Sequence, residues 1–256
     1  MSKRIVVIPD TQIPLEDRKA TAAVLGFIGE YQPDEVIHIG DLMDYPKPSR
    51  WSKGTAAEFQ GSVFAESDYA KRHFLEPLRN VYEGPVGVIE GNHDERPRVY
   101  LATYAPALSE SKAFNFENLL DFDGFRIRKL PDIYEFAPGW IATHGHRAGI
   151  RLNQQPGRTA LNAAMSKFQR SVIMGHTHRL AALPNSYGYN GKVTKTLWGI
   201  EVGNLMDMKR AQYLKGGAAN WQQGFVILHV DGSYVSHDLI VIQNRRFTVQ
   251  GNTFKF

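Results

Sequence analysis

The stretch Glu35–Asp44, EVIHIGDLMD, contains the two signals that decide the fold of this 256-residue chain. It begins with a short apolar run rich in β-branched residues, which is typical of a buried strand. Gly40 ends the run, and the carboxylates Asp41 and Asp44 follow it. The stretch therefore predicts a strand whose carboxyl end leads directly into an acidic loop.

The same arrangement recurs on either side of this stretch. Short apolar runs predict strands at Ile5–Pro9 and at Val86–Ile89. Apolar residues at helical spacing predict a helix at Arg18–Tyr31, and a longer helical stretch covers roughly Ala56–Val81. Strands that alternate with helices are typical of a parallel sheet with crossover helices, so we predict an α/β fold.

Four more strands, one helix and a closing hairpin are predicted in the second half of the chain. The strands are Phe125–Arg128, Ile133–Phe136, Ile141–Thr143 and Val172–Met174, the helix lies near Thr159–Phe168, and the hairpin joins Gly224–Val230 to Tyr234–Ile242 around Asp231-Gly232. We interpret the whole as a two-layered or sandwich-like α/β fold. No Ser/Gly/Pro-rich linker divides the chain, so we expect a single domain.

The composition limits the chemistry that is open to the chain. It has no cysteine, which excludes disulfides and thiolate metal sites, so a metal would need His, Asp, Glu, Asn or Gln ligands. The net charge of +4 suits an anionic substrate, but no dense Lys/Arg cluster indicates a dedicated nucleic-acid surface. No apolar run is long enough for a signal-peptide core or a membrane span, so we expect a cytoplasmic protein without a membrane partner.

Five polar clusters follow the ends of predicted strands. They are Asp10-Thr11-Gln12, Gly40–Asp44, Gly91-Asn92-His93-Asp94, His144-Gly145-His146 and Gly175-His176-Thr177-His178. Because ligands of open α/β sheets bind outside the carboxyl ends of the strands, we expect these clusters to converge on one crevice. Carboxylate, imidazole and amide oxygen are the ligands for Mn²⁺, Fe, Zn²⁺ or Mg²⁺ where thiolates are absent.

Together these clusters resemble the motif pattern of the calcineurin-like metallophosphoesterase superfamily. That pattern reads Asp-x-His, Gly-Asp-x-x-Asp, Gly-Asn-His-Asp/Glu, a lone His and Gly-His-x-His, and the similarity runs from Asp10 to His178. The resemblance implies a four-layer α/β/β/α sandwich with two divalent metal ions, of which Mn²⁺ is the first expectation and Fe, Zn²⁺ and Mg²⁺ are alternatives. It also implies a division of the ligands: Asp10, Gln12, Asp41 and His178 hold one ion, and Asp41, Asn92, His144 and His176 hold the other.

The resemblance further implies a reaction. Two ions about 3.5–4 Å apart clamp a phosphoryl group and activate a bridging hydroxide for in-line attack on a phosphate ester. His93 would protonate the leaving group as general acid, and Asp44 would orient its ring. His146 competes with His144 for the ligand role. We prefer His144, because the family's lone His directly precedes a Gly, and we assign His146 to substrate contact.

Two departures from the family pattern bear on the metal and the substrate. Gln12 stands where the family has His, so its ion should be held more weakly and should be Mn²⁺ or Mg²⁺ rather than a softer metal. Alternatively, Gln12 holds a water or the substrate. Asp44 is followed by Tyr45-Pro46 instead of the Arg-Gly of the protein phosphatases, which favours the phosphodiesterase and nuclease branches.

Substrate contacts are expected beside the metal motifs. Three arginines follow these motifs and would hold phosphate oxygens, or else lie on the surface: Arg96, Arg147 and Arg179. Residues 45–61 are a possible cap loop, in which Trp51 would stack on a base, or else an ordinary loop. Asp94 and Glu95 are interpreted as the start of the next helix, where acidic residues suit the helix dipole.

These observations favour a phosphodiesterase that hydrolyses a small or nucleotide-derived diester. A DNA or RNA nuclease is the alternative, and it would need a basic track that leads to the metals. A non-catalytic binding module on the same fold, for which the retromer subunit of the superfamily is a precedent, is disfavoured because His93 is present. The sequence does not indicate the oligomeric state.

Overall fold

A six-stranded sheet forms one of the two central layers of the protein. The computed structural model describes residues 2–49, 52–210 and 219–256. In spatial order the strands are β11-β10-β1-β2-β3-β4, with bounds β1 Lys3–Ile8, β2 Glu35–His38, β3 Val86–Ile89, β4 Ile127–Leu130, β10 Gly224–Asp231 and β11 Tyr234–Val241. Strands β1 to β4 run parallel, and the β10–β11 hairpin is added antiparallel to β1.

A second sheet of five strands lies against the first. Its order is β5-β6-β7-β9-β8, with bounds β5 Tyr134–Ala137, β6 Trp140–Thr143, β7 Ser171–Met174, β8 Leu180–Tyr189 and β9 Lys192–Val202. Strands β6, β7 and β9 are parallel, whereas β5 and β8 are antiparallel edge strands. A separate two-stranded hairpin is formed by β12 (Arg246–Val249) and β13 (Asn252–Lys255).

Helices cover the outer faces of both sheets. They are α1 Arg18–Tyr31, α2 Val63–Ala70, α3 Glu76–Val81, α4 Arg96–Tyr104, α5 Phe116–Leu119 and α6 Arg158–Ala163. Wider π-helical turns join α2 to α3 and extend α6, at Lys71–Leu75 and Ala164–Phe168. Single 3₁₀ turns occur at Ala56–Phe59, Pro106–Leu108, Lys112–Phe114 and Met208–Arg210.

The side-chain alternation of the strands builds a layered core. β1 directs Ile5 and Val7 into the core between the two sheets, and Val6 and Ile8 into the core that α1 covers. β7 likewise contributes to the intersheet core and to a third core that α6 covers. Successive strand residues face opposite sides, so a strand that is buried on both faces is apolar throughout. The order of layers is helix, sheet, sheet, helix, which confirms the four-layer sandwich.

Most predicted elements are present, and three expectations about them are wrong. The helix at Arg18–Tyr31 has the predicted bounds, because Asp17 caps its first turn and Gln32 ends it in a left-handed conformation. The long helical stretch is interrupted at residues 60–62, where Gly61 has φ +91° and Ser62 caps α2. The tight turn of the last hairpin is residues 232–233 rather than 231–232, because Asp231 pairs with Tyr234.

The third error is an omission, since neither the long β8–β9 hairpin nor the β12–β13 hairpin was predicted. The outer half of the β8–β9 hairpin is exposed on both faces, so it lacks the alternation that marks a half-buried strand. Of the proposed cap loop, Arg50 and Trp51 lie outside the described residues. We propose that the chain is one domain, because the two sheets share a core. Across the described ranges, no helix has the length and apolar character that crossing a membrane requires.

Candidate metal centre

Asp41 lies where two groups of potential metal ligands meet. In one group Asp41 is joined by His144 and His176, and in the other by Asp10 and His178. Within each group the ligand atoms lie within 4.8 Å of one another. Strands β1, β2, β6 and β7 end beside this point, so both sheets deliver side chains to it. The predicted convergence of the polar clusters is therefore observed.

The first group, which we call the Asn92 half, is built around His144. The Nε2 atom of His144 lies 3.3 Å from Asp41 Oδ2 and 3.2 Å from Asn92 Oδ1. Its Nδ1 lies 3.2 Å from the carbonyl oxygen of Ile39, an acceptor that orients the ring so that Nε2 faces Asp41 and Asn92. His176 completes this half, with its ring centroid 5.1 Å from that of His144.

Burial and the neighbouring charges act in opposite directions on the pKa values of Asp41 and His144. Burial disfavours the charged forms, but the histidines His144 and His93 outweigh it and lower the pKa of Asp41 well below its usual value. Burial likewise lowers the pKa of His144, yet the Asp41 carboxylate outweighs it and raises that pKa to about 9. For His176, burial and then the neighbouring His144 lower the pKa to about 4, so its ring is neutral at pH 7.

The second group, which we call the Gln12 half, joins the first and last motifs. His178 Nε2 lies 3.1 Å from Asp10 Oδ2 and 3.1 Å from Gln12 Nε2. Asp10 also accepts the backbone N–H of His176, at 3.0 Å from Oδ2. Trp221 packs edge-on against His178 with the ring centroids 4.4 Å apart, a neighbour that sequence reasoning missed.

The backbone is strained at four of the predicted ligands. Positive φ values occur at Gln12 (48°), Asp41 (50°), His176 (68°) and His178 (58°). Left-handed conformations are uncommon for residues other than glycine, and clusters of them are typical of functional sites. The strained backbone directs side chains from the ends of three strands, β1, β2 and β7, into one small volume.

Two glycines allow the backbone to approach this cluster closely. A Cβ atom at Gly91 would lie 2.1 Å from Asp41 Oδ1, and one at Gly40 would lie 2.6 Å from His144 Nδ1. Gly40 also has φ +108°, which side-chain-bearing residues rarely adopt. A larger residue at Gly91 would displace Asp41, and one at Gly40 would displace His144. Steric contact therefore explains why glycine occupies both positions.

His93 and Asp44 form a close pair beside the centre. His93 Nδ1 lies 2.6 Å from Asp44 Oδ1, and the backbone N–H of His93 donates to Asp41 Oδ1 at 2.8 Å. Its Nε2 lies 3.9 Å from Asp41 Oδ2, so this ring nitrogen faces the metal ligands. Arg96 lies beside this pair, 3.3 Å from Asp44 Oδ1 and 3.1 Å from His93 Nε2.

The other predicted substrate contacts, His146, Arg147 and Arg179, are engaged by protein groups. Arg147 donates to His146 Nε2 at 2.9 Å and pairs with Glu95 and Asp132. The Nδ1 atom of His146 is buried without a hydrogen-bond partner. Arg179 donates to the carbonyl oxygen of Asn153, and its Nε is buried without a partner. Only Arg96 of the three arginines contacts the His93–Asp44 pair.

Asp94 was interpreted from the sequence as the start of the next helix, and this interpretation is wrong. The helix begins at Arg96, and Asp94 instead connects two loops. The side chain is fully buried and accepts the backbone N–H groups of Met43 and Gly91, both at 2.8 Å. It thereby ties the loop after β2 to the loop after β3. Burial and the nearby Asp41 carboxylate raise the pKa of Asp94 well above its usual value. The sequence feature that could have indicated this role is the position of Asp94 at the end of the motif Gly91-Asn92-His93-Asp94.

The donor set fits a pair of divalent cations. Asp10 and Asp41 are 0% and 1% exposed, and carboxylates buried this deeply need compensating positive charge. The Oε1 atom of Gln12 is buried without a hydrogen-bond partner, which is the situation that a nearby cation would relieve. Oxygen and imidazole donors without thiolates suit Mn²⁺, Fe, Zn²⁺ or Mg²⁺.

Comparisons with known proteins agree with this geometry. Residues 3–180 match the family described as calcineurin-like phosphoesterase. The Gene 54 proteins of Mycobacterium phage L5 and Mycobacterium phage D29 are each 59% identical over 256 residues, which is 100% of this chain and of each relative. The solved structure of Vacuolar Protein Sorting 29 from Cryptosporidium parvum is similar in fold alone, with a TM-score of 0.51 and 14% identity over 100% of this chain and 99% of its own. The chain belongs to the calcineurin-like phosphoesterase family.

Proposed function

We propose that this protein is a binuclear metal-dependent phosphodiesterase that hydrolyses a small or nucleotide-derived diester. The observation that carries the proposal is the membership of Asp41 in both ligand groups, which gives two cation positions with one shared carboxylate. A shared carboxylate offsets the mutual repulsion of two cations and sets their separation. The phosphoesterase family uses divalent metals, so the arrangement agrees with the family match.

The proposed ligands divide between the two halves. Asp10, Gln12 and His178 would hold one ion and Asn92, His144 and His176 the other, with Asp41 common to both. When bound, a pair of divalent ions polarises the phosphoryl oxygens and lowers the pKa of a coordinated water. We propose Mn²⁺ as the native metal, because the Gln12 half has mostly oxygen donors and the Asn92 half mixes oxygen with imidazole nitrogen.

His93 would act as general acid, with Asp44 as its positioning residue. Asp44 accepts the Nδ1 proton at 2.6 Å, so the opposite nitrogen, Nε2, points toward the centre. That nitrogen would donate a proton to the leaving oxygen as the phosphorus–oxygen bond breaks. Arg96 lies within reach of the same position and would neutralise a phosphate oxygen.

Three features favour a small diester over the alternative functions. The Arg-Gly that follows the second motif in protein phosphatases is absent, since Tyr45-Pro46 stands there. A non-catalytic module has no need for a general acid, yet His93 and Asp44 are in close contact. A nuclease would need free cations around the centre, whereas Arg147 and Arg179 are engaged by protein groups.

Hydrolysis of a chromogenic diester by metal-free protein with added Mn²⁺ tests the proposal. Bis(p-nitrophenyl) phosphate and p-nitrophenyl phosphate have the same leaving group, so their comparison separates diester from monoester chemistry. We expect turnover of the diester that requires the metal and exceeds turnover of the monoester. Binding of Mn²⁺ without turnover of either ester would contradict the proposal.

A further inference from the structure

A groove of about 590 Å³ extends from the proposed general acid along α4. Asn92 and His93 line its inner end. One wall is α4, and the opposite wall is formed by Pro48 and Ser49 of the segment that follows the second motif. A volume of this size is in the range of small-molecule sites. The groove therefore continues from the reacting position into a space that a substrate group can fill.

The wall on α4 is formed by residues that are not part of the hydrophobic core. Val99, Tyr100, Thr103 and Tyr104 line the groove at the three- and four-residue spacing of one helix face. Only Pro97 of this helix is buried, and Val99 and Tyr104 remain 45% and 47% exposed. The helix thus presents two aromatic rings and an aliphatic side chain to the groove rather than to the protein interior.

The two aromatic rings are held in place by the facing segment. The ring centroids of Tyr100 and Tyr104 are 4.7 Å apart. Lys53 Nζ lies 4.0 Å from the centroid of Tyr104 and 2.9 Å from Glu58 Oε1, and the Tyr100 hydroxyl donates to Glu58. Because Tyr104 is still 47% exposed after these contacts, it is an ordered aromatic surface that solvent or a ligand can reach.

We infer that this groove is the leaving-group subsite and that it receives the nucleoside released from a phosphodiester. The inference rests on the proposed function, because the leaving oxygen must lie beside His93. Water adds its oxygen to phosphorus and loses a proton to solvent, and the bond from phosphorus to the nucleoside oxygen breaks. That oxygen takes a proton from His93 Nε2, which solvent replaces. The departing nucleoside then lies along α4, where its base stacks on Tyr104 and its sugar hydroxyl meets Thr103 and Ser49.

The test compares two diesters that differ only in the leaving alcohol. Thymidylyl-(3′→5′)-thymidine and the methyl ester of thymidine 3′-phosphate both yield thymidine 3′-phosphate, with thymidine or methanol as the alcohol. Formation of thymidine 3′-phosphate by the Mn²⁺-loaded full-length protein gives kcat/KM for each. We expect a preference of roughly 5- to 100-fold for the dinucleoside substrate, the range that base stacking on an aromatic side chain provides.

Two variants test whether the groove is responsible for the preference for the dinucleoside substrate. Tyr104→Leu removes the ring on an exposed helix face and should bring the ratio of the two kcat/KM values close to one. Tyr189→Leu changes a tyrosine that is 73% exposed at the far end of β8, and its ratio should equal that of the unchanged protein. Circular dichroism of both variants checks that they fold.

Three outcomes would overturn the inference. They are equal kcat/KM values for the two diesters in the unchanged protein, an equal loss for both substrates in Tyr104→Leu, or turnover of bis(p-nitrophenyl) phosphate alone. Absence of turnover with every ester, including the chromogenic one, would instead refute the proposed function on which the inference rests. The chromogenic substrate therefore distinguishes the two failures.

Discussion

The two halves of the candidate metal centre share Asp41 but differ in the donors around it. The Gln12 half has two carboxylates, one amide oxygen and one imidazole, contributed by Asp10, Asp41, Gln12 and His178. The Asn92 half has one carboxylate, one amide oxygen and two imidazoles. Oxygen-rich sites favour Mn²⁺ and Mg²⁺, and nitrogen donors suit Zn²⁺ and Fe. The exchange of His for Gln at position 12 therefore leaves the Gln12 half with one imidazole fewer than the Asn92 half.

The halves also differ in how completely their polar atoms are satisfied. In the Asn92 half, His144 is held through Nδ1 by the carbonyl oxygen of Ile39 and through Nε2 by its neighbours. In the Gln12 half, Gln12 Oε1 and His178 Nδ1 are buried without partners. Unpartnered buried atoms cost free energy unless a ligand satisfies them. We infer that the conformation of the Gln12 half depends on a bound ion more strongly than the conformation of the Asn92 half does.

The largest effect should follow from removal of the shared carboxylate. Asp41→Asn keeps a residue that tolerates left-handed φ, so the backbone at φ 50° should persist while the charge is lost. We expect loss of both ions and a fall in kcat/KM of at least about 1,000-fold. Asp121→Asn, at an exposed position with φ 52°, is the matched control and should change neither. Metal analysis that still finds two bound ions in Asp41→Asn would contradict the shared-ligand arrangement.

A smaller effect, confined to catalysis, should follow from removal of the general acid. His93→Gln should lower kcat by about 100- to 10,000-fold for substrates with poor leaving groups, because proton donation is lost. Metal stoichiometry should remain at two, since His93 is in neither ligand group. His73→Gln, at an exposed histidine outside the centre, should behave as the unchanged protein. If kcat of His93→Gln were unchanged, the assignment of the acid would be wrong.

The Asn92 half should also depend on Asp94 for its stability. Asp94→Ala removes two buried hydrogen bonds to the loops after β2 and β3, and we expect the free energy of unfolding to fall by about 2–4 kcal/mol. Glu95→Ala removes only partly exposed ion pairs with Arg98 and Arg147, so it should cost less than about 1 kcal/mol. Urea unfolding of the metal-free variants measures both values, and equal losses would refute the role of Asp94.

The smallest change should reduce the difference between the halves. Gln12→His restores the imidazole of the family pattern, and histidine tolerates the left-handed backbone at φ 48°. We expect the affinity of the Gln12 half for Zn²⁺ to rise by roughly tenfold or more, as calorimetric titration would show. Gln169→His makes the same substitution at an exposed position with φ 55° and should leave Zn²⁺ binding unchanged. An unchanged affinity in Gln12→His would indicate that Gln12 does not contact the ion.

Local patterns were sufficient for most of the fold. A buried strand such as β3, Val86–Ile89, is apolar on both faces, and the residues that follow it are polar and glycine-rich, so both the strand and its loop are visible in sequence. The β8–β9 hairpin was missed because its outer half has no buried face to impose a pattern. The break before α2 was missed because a single glycine and a capping serine interrupt an otherwise helical composition.

The sequence by itself determined the strand-and-loop order, the identity of the motif residues and the substitution of Gln12 for His. These are local properties, because strand periodicity and turn chemistry act over a few residues. Only the tertiary structure decided which side chains meet. Gln12 and His178 are 166 positions apart, and their contact depends on the packing of one sheet against the other. The same packing brings His144 rather than His146 to Asp41. The pairing of β2 with β3 brings together the two loops that bury Asp94.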